Sequence, residues 1–449
     1  LPGRDFLLIA DAVAPLVGGP SALGASGLAR ALAAAGHRAT VLTVAEPEGA
    51  ARVPGLARRL RTIPATVAGR NYDLTLFEGR AALSEAQLLV ITGGPTSRAE
   101  EAAVLAGAVR FLAAERLVAP EVTIGWGETT AAALSATSAA VRLFVLPTGR
   151  LGPSLAPAEA EILGPLLLGD ESASHSLVAL GCLAGNAIIA PSPSAARATE
   201  GDPGLASRAS DEPVVAVRFG CDDPPHDPSS DPALPATFSP SALAGKSECR
   251  RTLARRCSLA LGPRTLLLTT GVLQRDSGGD ALLAGIERLA PFDVAAVIVA
   301  RGEPELIERA RLLALRQPGR IALLAPNDAA DERFVRAAAD AILLSDDHDY
   351  DRTGRSAGLA LLYGTLPIAP DVGANHDYLV DYDPGSRTGH AILYSAPTPF
   401  EIESAVRRAL ALRADADLWA PLVAAWMTAA PRWSTAAAAI VEIAGQYGG

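Results

Sequence analysis

Residues 221–240 read CDDPPHDPSSDPALPATFSP, a run with neither the 3.6-residue period of a helix nor the alternation of a strand. Proline fixes φ and removes a backbone donor, so at this density the chain is stiffened without joining a helix or sheet. A domain boundary is expected here, with 221–246 as a semi-rigid hinge. The same texture lies on both sides of it. Upstream, apolar runs at 6–13, 39–44, 88–92, 122–126, 143–146 and 187–191 read as strands, and the Ala/Leu-rich stretch 22–35 reads as a helix capped by Gly36. Downstream, strands are expected at 264–273, 294–300, 321–326, 341–345 and 366–370, with helices at 279–290, 304–317, 331–339, 356–363 and 400–412. Such alternation predicts an α/β chain of two Rossmann-like, doubly wound domains, 1–220 and 247–415. They would face each other across a cleft that serves as the default ligand site. The remainder, 416–449, reads as helices that cross back to the first domain.

Composition narrows the function classes. With 449 residues, 49% of them hydrophobic and 20% charged, the chain can bury more than one core and is neither collagen-like nor disordered. A net charge of −10 gives no electrostatic case for wrapping nucleic acid or an anionic membrane. Of 39 basic side chains all but Lys246 are arginine, which forbids any mechanism that needs two lysines. The four cysteines are scattered, and Cys249 and Cys257 on one helix would stand roughly 12 Å apart, beyond disulfide reach. No Cys-x-x-Cys pair suggests structural zinc, and a reducing cytoplasm is the expected compartment. The longest uncharged stretch, 176–196, is broken by Gly181, Gly185, Asn186, Pro191 and Pro193, so it does not read as a membrane helix. The first residues lack the basic-then-apolar order of a secretory signal, and whether a leader preceded Leu1 is left open.

Several stretches then match one family in order. The boundary run, continued through Gly245-Lys246, resembles the Gly-Ile-Asp…Asp-Pro-x-Leu-Pro…Gly-Lys segment of bacterial glycogen synthases and plant starch synthases (glycosyltransferase family 5). DAVAPLVGG at 11–19 echoes that family's EVAPF…GGL, and AIIAPSPSA at 187–195 is similar to VTTVSPTYA. YGTLPIAPDVGANHDYLVDYDP at 363–384 and RTGHAILYSAPTP at 387–399 look like the family's closing donor-side motifs. The resemblance implies the two-domain GT-B fold and retaining glucosyl transfer from ADP-glucose, or UDP-glucose in some relatives, to an α-1,4-glucan. It implies no cofactor or metal. Side-chain cations must then offset the diphosphate as the sugar leaves.

Those cations are where this chain departs from the family. Lys-Thr-Gly-Gly has become Leu16-Val17-Gly18-Gly19, which keeps the glycines for close backbone approach to a nucleotide and loses the charge. A bare strand-to-helix turn is the competing reading. The family's Gly/Ser-Arg-Leu-x-x-Gln-Lys-Gly-x-Asp has become 271–280, GVLQRDSGGD, with Val272 for Arg and Ser277 for Lys; Arg275 could swing in from nearby. The acidic residue of Glu-Pro-Cys-Gly-Leu falls on Asp351 and its glycine on Gly354, with Arg355 adding charge at the helix start; a second count places the acid at Asp347 or Asp349. The acidic run 346–351 reads as a solvated loop rather than a metal site. No histidine lies between His37 and His175, so the family's sugar-facing histidine has no counterpart.

Losing one preorganised donor typically costs about 10²–10³ in rate, and several lost together reach about 10⁵–10⁶. The sequence therefore predicts a degenerate synthase-like protein that binds ADP, UDP, ADP-glucose or α-glucan with little turnover. One alternative is an active transferase rebuilt on Arg275, Arg355 or Arg150. Another is a non-catalytic partner of an authentic synthase, or a homo-oligomer.

Overall fold

In the computed structural model the described residues are 3–80, 85–147, 154–164, 176–201, 214–325, 329–344 and 353–448. Backbone contacts divide the chain into two compact units, Leu1–Asp223 with Arg432–Gly449, and Pro224–Pro431.

Among its described residues the first unit holds a nine-stranded sheet. Its strands are β1 (Asp5–Ala10), β2 (Arg38–Val44), β3 (Leu56–Val67), β4 (Arg70–Gly79), β5 (Gln87–Thr92), β6 (Val122–Trp126), β7 (Val141–Val145), β8 (Ala187–Ala190) and β9 (Val214–Ala216). Their spatial order is β3-β4-β5-β2-β1-β6-β7-β8-β9. From β5 to β9 every neighbouring pair is parallel. Phe6 to Ala10 are all buried, which is why β1 is a continuous apolar run and not an alternating one. β3 and β4 form an antiparallel hairpin at the sheet edge, turned by Ala68 (φ 50°) and Gly69 (φ 77°). One face of the sheet packs on the helix Arg98–Ala114, the other on the helices Pro20–Ala34 and Trp433–Tyr447. Trp433 closes the second face. Its ring stands 5.8 Å from Phe219 and 6.1 Å from Trp126, and its indole N–H donates to Asp223 Oδ1 at 3.2 Å.

The second unit carries β10 (Thr265–Leu273), β11 (Val294–Gly302), β12 (Ile321–Leu324), β13 (Ala341–Leu343), β14 (Leu366–Pro370) and β15 (Ile392–Tyr394). They run parallel in the order β12-β11-β10-β13-β14-β15. From Pro224 onward the proline-rich run belongs to this unit and is packed into it, not suspended as a spacer. Asp231 is buried, accepting from Arg333 Nε at 2.9 Å and from the Tyr363 hydroxyl at 2.6 Å. Lys246 is buried as well, and its Nζ donates to the carbonyls of Ala337, Ala339 and Tyr363 at 2.9 Å and to Thr365 Oγ1 at 3.1 Å. Burial pulls its pKa down to about 7, while Asp340 acts the other way. The C-terminal stretch, expected as one block returning to the first domain, divides at Arg432: the helix Ala416–Ala429 stays with the second unit. Trp426 anchors it there by donating to the Gly389 carbonyl at 3.3 Å.

Candidate functional site

In an open α/β sheet a ligand sits outside the carboxyl ends of the strands, where successive connections leave in opposite directions. In the first unit that point lies between β1 and β6. Asp11 follows β1, and Gly127-Glu128 follows β6. The turn after β1 ends at Gly18 and Gly19, both exposed; Gly19 has φ 115° and is the N-cap of the helix Pro20–Ala34. Ser21, in that helix's first turn, donates to Asp11 Oδ1 at 3.3 Å and accepts from Trp126 Nε1 at 3.2 Å.

Among the described residues the charges at this edge are mainly negative. Glu101, on the helix Arg98–Ala114, accepts from Thr129 Oγ1 at 2.9 Å. Burial, then Glu101, then Glu128 push the partly buried Asp11 up to about 7 against the Ser21 hydrogen bond. Burial also raises Glu101. Arg98 is engaged, donating to Glu159 at 3.1 Å and to the Ser154 carbonyl at 3.1 Å, with Glu128 at 3.6 Å. Those contacts raise its own pKa, chiefly through Glu159.

In the second unit the corresponding point lies between β10 and β13. The loop after β10 contains Arg275, whose guanidinium is 2.6 Å from Glu305, 3.5 Å from Asp280 and 3.8 Å from Glu303. Its backbone N–H donates to Glu303 Oε1 at 2.9 Å. The sequence assigns this residue to a phosphate, and the fold gives it three carboxylates. Beyond β13, Gly354 (φ 68°) is the N-cap of the helix Arg355–Leu362, and the Arg355 N–H donates to Thr353 Oγ1 at 3.2 Å. Arg275 and the pair Gly354–Arg355 thus leave the carboxyl ends of adjacent strands. Asp351, Asp347, Asp349 and Arg150 lie outside the described residues.

The acidic group Asp11, Glu101 and Glu128 carried no assignment in the sequence. Its local signals are the place of Asp11 at the start of the DAVAPLVGG match and a carboxylate placed directly or two residues after an apolar strand, at Asp11 and Glu128. Among the described residues no cluster of three or more His, Cys, Asp or Glu could hold a metal ion, and no helix is long and apolar enough to cross a membrane.

No family model matches the chain. It is 31% identical over 238 residues to the glycogen synthase of Methylocella silvestris, a match covering 52% of this chain and 48% of that protein. To the glycogen synthase of Myxococcus xanthus it is 33% identical over 196 residues, 44% and 40% of the two chains. The chain thus spans about half the length of the curated relatives it matches. The catalytic domain of Arabidopsis thaliana starch synthase IV, bound to ADP and acarbose, superposes with a TM-score of 0.84 over 99% of both chains at 19% identity. HepE of Anabaena, in complex with UDP and glucose, gives a TM-score of 0.57 at 14% identity over 98% of this chain and 99% of its own. The fold is that of the GT-B glycosyltransferases, and about half of the chain is similar in sequence to curated glycogen synthases.

Proposed function

We propose that the chain is a glycogen- and starch-synthase-like glycosyltransferase whose glucosyl transfer from ADP-glucose to an α-glucan is weak or absent. The observation that carries this reading is the state of Arg275. A guanidinium grips a diphosphate by aiming its N–H groups at oxygen, and here those groups are aimed at Glu305, with Asp280 and Glu303 close by. Val272 and Ser277, on the same loop, carry no charge. Arg98 in the first unit is likewise engaged by carboxylates. Developing negative charge on a leaving diphosphate would meet acidic surroundings, and each missing donor is worth about 3–4 kcal/mol of barrier. The family's backbone and helix-terminus positions are kept in each unit separately, at Gly18–Gly19 in the first and at Gly354–Arg355 in the second, with Asp351 in the sequence position of the family's acid.

Radiolabelled transfer from ADP-glucose to glycogen tests the proposal. Turnover far below about one per second is expected; a rate at or above that ordinary enzymatic value would overturn it.

A further inference from the structure

A cavity of about 510 Å³ opens at the amino edge of the first sheet, the edge opposite to Asp11 and the Gly18–Gly19 turn. Small-molecule sites fall in the range of about 300–1,000 Å³. β1, β2 and β5 are parallel and begin at this edge, and β4, antiparallel to β5, ends there. These strands bring Asp5, Arg38, Thr40, Glu78 and Gln87 into the wall, and Leu117, 54% exposed, adds an apolar surface.

Thr40 is only 8% exposed and stands directly opposite Gln87 in the β2–β5 register. Its hydroxyl donates to Gln87 Oε1 at 3.4 Å, long for a contact whose ordinary span is about 2.5–3.0 Å. Gln87 is held in place by its own donation from Nε2 to Glu78 Oε1 at 2.8 Å. A buried hydroxyl so poorly satisfied gains from a better partner. A ligand O–H within reach of both groups can accept from Thr40 Oγ1 and donate to Gln87 Oε1. Each carboxylate of the wall, meanwhile, has its own guanidinium: Asp5 has Arg38 at 3.1 Å, Glu85 has Arg80 at 2.8 Å, and Glu78 has Arg59. A charged ligand must break one such pair to make another, whereas a neutral one adds hydrogen bonds and leaves the pairs intact.

We propose that this cavity binds a neutral, polyhydroxylated small molecule of the sugar class. One hydroxyl bridges Thr40 and Gln87, a second meets the Asp5–Arg38 pair, and a C–H face lies toward Leu117. The site stands apart from the transferase reading, which the transfer assay alone decides.

Calorimetric titration of the full chain with D-glucose and with maltose tests the proposal. Binding of at least one of them in about the millimolar range is expected. Thr40→Val keeps the shape of the side chain and removes the hydroxyl. It should weaken that sugar about tenfold while the thermal midpoint stays within about 2 °C. Should Thr40→Val not fold, Gln87→Met takes its place, with the same expected loss. Glucose 6-phosphate and glucosamine, which carry a charge, should bind about tenfold more weakly than glucose. No binding of either neutral sugar, an affinity unchanged in the folded variant, or tighter binding of either charged analogue would overturn the site.

Discussion

At Lys246 one ammonium group closes the ends of two helices. The Ala337 and Ala339 carbonyls belong to the end of the helix Ala329–Ala338, and the Tyr363 carbonyl to the end of the helix Arg355–Leu362. Helix C-termini leave carbonyls without internal partners and carry partial negative charge, so a buried cation there satisfies both needs. Four acceptors surround the nitrogen, and burial, which disfavours its charged form, pulls its pKa down to about 7. Lys246→Met keeps the packing and strands those acceptors. It should lower stability by about 3–5 kcal/mol in urea denaturation, and a loss below about 1 kcal/mol would contradict this account.

At the scale of elements, close approach sets what the chain can tolerate. The helices Pro20–Ala34 and Trp433–Tyr447 meet at Gly27, where a Cβ would lie 2.3 Å from Trp433 Nε1. That indole is buried and tied to Asp223, so it cannot yield cheaply. Gly27→Ala should cost about 1–3 kcal/mol, read as a lowered midpoint of thermal unfolding with unchanged far-ultraviolet dichroism.

Elements buried on both sides were legible in the sequence because burial there favours apolar residues; residues 6–10 of β1, β6 and the first five residues of β10 are buried throughout and mostly apolar. The β3–β4 hairpin was not. β3 opens with Arg58, Arg59 and Arg61 on an exposed edge, a register shift separates Arg58 from Thr62, and alternating burial begins only at Ile63. The Gly18–Gly19 turn and the helix start at Gly354 were legible through local motifs. The grouping of Asp11 with Glu101 and Glu128 was not, since it depends on strand order across the sheet. The engagement of Arg275 was equally hidden: Glu303 and Glu305 come from the start of the helix Pro304–Arg316, which follows β11, the neighbour of β10.

For the whole molecule, the chain's last helix matters more than its length suggests. Trp433, Ala436, Ala437, Ile440 and Ala444 are buried in the core that contains Trp126 and Phe219. Removing one such tryptophan side chain costs about 3–5 kcal/mol, against a typical domain stability of about 5–15 kcal/mol. A chain ending at Pro431 should therefore lose or sharply lower the first unit's transition in scanning calorimetry. The second unit's transition should stay within about 2 °C of its original position. A first-unit transition that survived truncation unshifted would refute the assignment of this helix to the first core.

The burial of Lys246 has a chemical corollary. Reagents that acylate primary amines find their only lysine target walled in by helix ends, while the rest of the surface offers them guanidinium groups they do not attack. Incorporation of such a label at that position, read apart from label on a chain-terminal amine, would act as a clock for opening of the second unit.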